Sequence, residues 1–118
     1  MNIKEFSVRT ALSAHTLRYY EKIGLLSDIH RSQNGHRFFT TKDLEWVTFI
    51  IRLKETGMSL DSILEYSKLR AQGEKTNPKR QMLLKQHRDK LQSKIENELE
   101  HLNALEKKIE YYNTKKTS

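Results

Sequence analysis

From Pro78 to Tyr112 the chain has no glycine and no second proline, and apolar side chains recur along this stretch at a regular interval. Placing Ile95, Leu102 and Ile109 at one heptad position puts Leu84, Leu91, Leu105 and Tyr112 at the other, with Arg88 and Glu98 interrupting the row. The mean spacing is about 3.5 residues, the interval at which a helix keeps one seam turned toward a partner helix. At about 1.5 Å per residue such a helix is roughly 50 Å long. The residues before it can build only one modest core, so the seam needs a partner, and the simplest source is a second copy of the chain. We therefore expect a homodimer with Leu84, Leu91, Ile95, Leu102, Leu105, Ile109 and Tyr112 at its interface.

The residues before that helix carry a dense set of start and stop signals. Asn2, with Glu5 three residues on, opens a short helix over 2–10 in capping-box spacing. Ala11, Leu12 and Ser13 form a tight turn, and Ser13 caps a second helix over about 14–22. Leu17, Tyr20 and Ile23 share one face of that helix, and Gly24 ends it. A polar stretch then leads to Asn34-Gly35, a strong hairpin signal, followed by Phe38 and Phe39, so we expect a two-stranded ribbon turning there. Thr40 and Asp43 have capping-box spacing for a helix over 41–56, whose face is Leu44, Val47, Ile50, Ile51 and Leu53. Gly57 ends it, and Ser59 opens a helix over 60–71 with Leu60, Ile63, Leu64 and Ser67 on one side. Gln72 to Thr76 reads as a polar linker, and Asn77-Pro78 as the cap and first turn of the long helix.

The resulting organisation is a mainly α chain, with a reading domain over 1–71, a linker over 72–77 and a dimerising helix and tail over 78–118. A net charge of +7 favours an anionic partner such as nucleic acid. The charge is unevenly spread: residues 1–39 hold six basic and three acidic side chains, residues 40–76 six of each, and residues 77–118 ten and six. With no cysteine, disulfides and thiolate metal sites are excluded. No apolar run reaches the length of a membrane span and no signal peptide opens the chain, so a cytoplasmic protein without membrane contact is expected.

Helix, tight turn, helix and basic ribbon, in that order, have the layout of a winged helix-turn-helix. The second helix offers His15, Thr16, Arg18, Tyr19 and Lys22 to phosphates or base edges. The ribbon adds Arg31, Asn34, His36 and Arg37 beside it. Double-stranded DNA is the partner that such an array suits. No phosphate loop, nucleophile motif or metal-ligand cluster is present, so neither an enzyme nor a cofactor is expected. His87 and His101 lie two heptads apart, about 21 Å along the helix, and cannot share a metal within one helix.

The segment Thr16-Leu17-Arg18-Tyr19-Tyr20-Glu21-Lys22-Ile23-Gly24-Leu25-Leu26 strongly resembles the signature of the MerR family of bacterial transcription regulators. The resemblance continues through Asn34-Gly35-His36-Arg37-Phe38-Phe39, Asp43-Leu44 and Leu53 to Leu60. It implies a homodimer joined through an antiparallel coiled coil, seated on a pseudo-palindrome in a promoter. It implies that the dimer bends and untwists an over-long spacer in response to an effector, acting on RNA polymerase indirectly by realigning the two promoter elements. Carried over by position, the recognition-helix contacts would be Ser13, His15, Thr16, Arg18 and Tyr19, and the wing contacts Asn34, His36 and Arg37. Two positions depart from the family pattern: Ala11 stands where a glycine is usual, and His36 where a tyrosine is. The alternatives on the residues alone are an architectural DNA binder without sequence preference and a helical adaptor that uses its coiled coil to bind protein only.

Overall fold

The structure, a computed structural model, describes residues 1–116. Its elements are α1 (Ile3–Thr10), α2 (Ala14–Lys22), β1 (His30–Arg31), β2 (Arg37–Phe38), α3 (Thr41–Glu55), α4 (Leu60–Ala71), a short 3-10 turn (Glu74–Thr76) and α5 (Asn77–Lys116). They fall into two compact units, Met1–Arg80 and the chain from Gln81 onward.

In the first unit the helices begin where local side chains satisfy the orphan amides of the first turn. The Asn2 carboxamide oxygen accepts from Glu5 N at 2.8 Å, and Ser13 Oγ accepts from Thr16 N at 3.0 Å. Thr40 and Asp43 close a reciprocal box, each backbone amide donating to the other's side chain at 2.9 and 3.2 Å. Ser59 Oγ accepts from Ser62 N at 3.2 Å. Each cap stabilises its helix by about 1 kcal/mol.

The core of this unit is formed by Phe6 of α1, Leu17 of α2, Leu25 and Leu26, Phe39, and Val47 and Ile50 of α3, with Ile63 of α4 closing it. Phe6 and Phe39 stack with centroids 4.2 Å apart and planes 3° from parallel. Trp46 and Tyr66, absent from the expected apolar faces, are also buried, with planes 16° from parallel. Trp46 Nε1 donates to Leu25 O at 2.6 Å, and the Arg70 guanidinium lies 4.1 Å from its ring centroid. The indole thus fills the core while its polar edge is satisfied. Leu44 and Ile51 are only half-buried, and Leu60 is exposed.

The turn between α1 and α2 is held by Ser7 Oγ donating to Leu12 O and by Leu12 N donating to Thr10 Oγ1. It places Ala11 at φ 60°, ψ 21°, in the left-handed region. An L-residue there costs roughly 1–2 kcal/mol. Ala11→Gly is therefore expected to raise the unfolding free energy by about 1 kcal/mol, less the extra chain entropy that glycine loses on folding. Urea denaturation of the two proteins checks this; a variant less stable than the native chain would mean that the turn carries no strain.

In the ribbon, His30 pairs with Phe38 and Arg31 with Arg37, antiparallel. Ser32 N donates to His36 O at 2.8 Å, and Gly35 N to Ser32 O at 2.9 Å. The turn thus runs from Ser32 to Gly35, one residue earlier than a two-residue Asn34-Gly35 turn would place it. A two-residue turn of that kind needs positive φ at both central residues, and only Gly35, at φ 79°, adopts it. The foot of the ribbon is anchored by Met1, whose amino group donates to Phe39 O at 2.8 Å and whose carbonyl accepts from Phe39 N at 2.6 Å.

The polar linker expected over Gln72 to Thr76 is replaced by the 3-10 turn, and Thr76 is buried. Thr76 Oγ1 donates to Leu69 O at 2.7 Å and accepts from Arg80 Nε at 3.1 Å. Asn77, expected as a cap, already has helical backbone angles, so the 3-10 turn leads directly into α5.

In the second unit α5 is helical through Lys116 and buries no residue. Leu84 and Leu91 are half-buried, whereas Ile95, Leu102, Leu105, Ile109 and Tyr112 are 49–63% exposed. Leu99, beside the expected seam, is 52% exposed. A run of large apolar side chains this open is the kind of surface at which proteins associate. Among the described residues no helix is long and apolar enough to cross a membrane.

Candidate nucleic-acid interface

Helix α2 divides cleanly into two faces. Leu17 and Tyr20 point into the core, and the Tyr20 hydroxyl accepts from Lys54 Nζ of α3 at 3.0 Å. Positions i, i+3, i+4 and i+7 of a helix share a face, so His15, Arg18, Tyr19 and Lys22 form one stripe opposite that anchor. All four are exposed. Thr16, also expected at the site, is half-buried and turned toward the start of the helix. There Ser13 Oγ donates to Thr16 Oγ1 at 3.0 Å while accepting the cap bond, so Ser13 and Thr16 first of all fix where α2 begins.

Of the four ribbon residues, Arg31, Asn34 and His36 are exposed and Arg37 is half-buried. The two arginines converge on a residue that the sequence reading did not single out. Glu21 Oε1 accepts from Arg37 Nε at 2.8 Å and from Arg31 Nη2 at 3.4 Å. Arg31 Nη1 also donates to Gly35 O at 3.1 Å, across the ribbon turn. One carboxylate on α2 thus holds both strands of the ribbon, and the basic stripe and the basic ribbon share a fixed frame. The cluster of Glu21, Arg31 and Arg37 keeps a net charge of +1. The available sign was an acid set between Tyr20 and Lys22 in an otherwise cationic segment, but its partners lie ten and sixteen residues away. Because these side chains retain a quarter to a half of their exposure, the pairs contribute at most about 1 kcal/mol to stability. Their effect is on position. Glu21→Gln is expected to leave stability within about 1 kcal/mol and to raise affinity for random duplex while narrowing the preference for the operator. A competition titration against random DNA measures both; an unchanged ratio would remove Glu21 from the positioning role.

Among the described residues no group of three or more His, Cys, Asp or Glu side chains is placed to hold a metal ion. The chemistry on offer at this face is hydrogen bonding and charge toward phosphates and base edges.

Residues 1–69 match the family model described as MerR HTH family regulatory protein, and residues 44–108 match that described as MerR, DNA binding. The transcriptional regulator AdhR of Bacillus subtilis is 34% identical over 91 residues, an overlap that takes in 77% of this chain and 65% of AdhR. A crystal structure of a MerR family transcriptional regulator from Listeria monocytogenes superposes with a TM-score of 0.90 at 40% identity, covering 97% of this chain and 86% of that one. HiNmlR, a MerR family regulator lacking the sensor domain and solved bound to promoter DNA, superposes with a TM-score of 0.85 at 33% identity, covering 98% and 92%. With a family model spanning more than half of its residues and relatives matched along most of their length, the chain belongs to the MerR family of helix-turn-helix regulatory proteins.

Proposed function

We propose that this protein is a sequence-specific, DNA-binding transcriptional regulator that sits on a promoter as a homodimer and acts in the cytoplasm. Residues 1–71 serve as the reader, 72–77 as the connection, and 78–118 as the dimerising helix and tail. The observation that carries the proposal is the exposed stripe of His15, Arg18, Tyr19 and Lys22, locked beside a basic ribbon through Glu21. The match to a regulator solved on promoter DNA supports the same reading.

In this reading the α2 stripe enters the major groove. Arg18 is the side chain suited to guanine, while Tyr19, Thr16 and Lys22 suit phosphates. Arg31, Asn34, His36 and Arg37 of the ribbon follow the adjacent backbone. Two such readers joined by antiparallel α5 helices meet two half-sites on one face of the duplex, about one helical turn or a multiple of it apart. A dimer that engages both half-sites at once can impose its own geometry on the DNA between them. Bending and untwisting the spacer then realigns the promoter elements for RNA polymerase, with specificity drawn partly from deformability. The relatives named above are regulators, and this chain is read as a regulator and not as an enzyme.

Footprinting on the promoter beside the protein's own gene tests the proposal. Two protected half-sites flanking a distorted spacer are expected. Equal competition by random duplex would replace the proposal with an architectural, sequence-indifferent binder. Arg18→Ala is expected to weaken operator binding by about 1–3 kcal/mol and to relax the preference at one base pair. A titration showing no loss would take Arg18 off the contact surface.

A further inference from the structure

The apolar seam of α5 has two interruptions, and they carry opposite charges. With Ile95, Leu102 and Ile109 at position a, Arg88 also falls at position a and Glu98 at position d. Both are exposed in one protomer. Arg88 Nη2 donates to Asp89 Oδ1 at 3.0 Å, but the two side chains are 64% and 66% exposed, and so open a pair holds neither of them firmly. Glu98 has Lys94 one turn before it, yet among the described residues no ion pair joins them. A charge within an apolar seam costs stability, and its best-attested use is to fix the register of two helices.

Two copies of α5 laid parallel and in register would set Arg88 against Arg88 and Glu98 against Glu98, like charge on like at both sites. Reversing one helix inverts the order of its three- and four-residue gaps, so antiparallel seams interlock only when position a of one lies level with position d of the other. One such register, with its two-fold axis level with Ser93, sets Arg88 opposite the partner's Glu98, and symmetry repeats the pair. The same register sets Leu91 opposite the partner's Ile95 and Leu84 opposite the partner's Leu102. Sliding by one heptad sets Arg88 opposite the partner's Leu105 and Glu98 opposite the partner's Ile95, or, in the other direction, Arg88 opposite the partner's Leu91. Each slide leaves a charge facing an apolar side chain.

We propose that Arg88 pairs across the seam with the partner's Glu98 and that the two symmetric pairs lock the antiparallel dimer in this one register. The inference rests on the homodimer reading. A second copy is the occupant that the charges select, because the chain carries in its own seam the acid that its seam base needs. Arginine suits the place, since its planar fork meets a carboxylate bidentately and is more weakly hydrated than an ammonium. The pairs act on register more than on strength, because desolvating the ions offsets most of their attraction. Sliding by one heptad changes the separation of the two helix starts by about 10.5 Å, nearly a third of a duplex turn. The lock therefore bears on which half-site spacing the dimer spans.

The test uses the full chain, which has no native cysteine, with sedimentation velocity and disulfide cross-linking. Arg88→Glu and Glu98→Arg each set like charges opposite one another at both crossings, and each is expected to raise the dimer dissociation constant by about a hundredfold or more. The double variant Arg88→Glu/Glu98→Arg restores both pairs with their signs exchanged, and should associate within about tenfold of the native chain. Single reversals that associate like the native chain overturn the proposal, as does a double variant no stronger than the single ones. Cross-linking reads the register separately. Leu84→Cys/Leu102→Cys should oxidise to a covalent dimer, whereas Leu84→Cys/Ile109→Cys should not, its cysteines being held about one heptad, or roughly 10.5 Å, apart. Cross-linking of the second variant, or of neither, overturns the register. A native chain that sediments as a monomer sinks the dimer reading itself, whereas a dimer without rescue by the exchanged charges sinks only this inference.

Discussion

Leu102→Glu is expected to turn the dimer into monomers and to abolish high-affinity operator binding. Leu102 is 49% exposed in one protomer and lies mid-way along the apolar seam of α5. Fully burying a leucine contributes about 1.5–3 kcal/mol, so covering the exposed half of Leu102 contributes about half of that, and the substitution removes two such contributions per dimer. The replacing carboxylates would lie in a desolvated seam, where an unpaired charge costs more still. The two together, a loss of about 3–6 kcal/mol, raise the dissociation constant by roughly a hundredfold to ten-thousandfold. Sedimentation velocity at micromolar concentration reads the change directly. Leu102→Ile, which conserves volume, should remain dimeric. A Leu102→Glu variant that stays dimeric would mean that α5 pairs through another face.

Phe39→Ala is expected to be the most destabilising single change in the first unit. Phe39 is 2% exposed, stacks on Phe6 at 4.2 Å, and shares two backbone hydrogen bonds with Met1. Truncating a buried phenylalanine costs about 3–5 kcal/mol, against a total stability of about 5–15 kcal/mol for an ordinary domain. For a unit of this size the thermal midpoint should fall by about 15–30 °C. Its neighbour supplies the control: Phe38 is 52% exposed, and Phe38→Ala should move the midpoint by only a few degrees, about the effect of a surface change. Circular dichroism melts of both proteins decide the matter. Similar melting of the two would show that the ribbon's foot is not anchored through Phe39.

The contrast between Phe38 and Phe39 also shows what a sequence discloses. Helix ends were legible because caps act on amides two or three residues away: Ser13, Thr40 with Asp43, and Ser59 each sit at the cap their spacing implies. The exposed stripe of α2 was legible for the same reason, since helical periodicity alone separates His15, Arg18, Tyr19 and Lys22 from Leu17 and Tyr20. What escaped depended on partners distant in the chain. Trp46 and Tyr66 have polar edges that disguise them as surface residues until Leu25 O and the neighbouring rings receive them. Glu21 looks like ordinary helix surface until the ribbon folds back onto α2. The hairpin turn shifted by a residue because pairing of Ser32 with His36 sets its register, leaving Gly35 alone in the left-handed region.

The shared carboxylate at Glu21 sets an order of release when an anion approaches. Arg31 is held at 3.4 Å with its side chain 48% exposed, whereas Arg37 is held at 2.8 Å and is 25% exposed. An incoming phosphate therefore meets the more exposed arginine first, and drawing it away breaks its bond to Gly35 O as well as its contact with Glu21, while Arg37 keeps its seat. If the ribbon contacts DNA as proposed, it can trade an internal partner for an external one without coming adrift from its helix, and part of the ordering cost of binding would be met during folding.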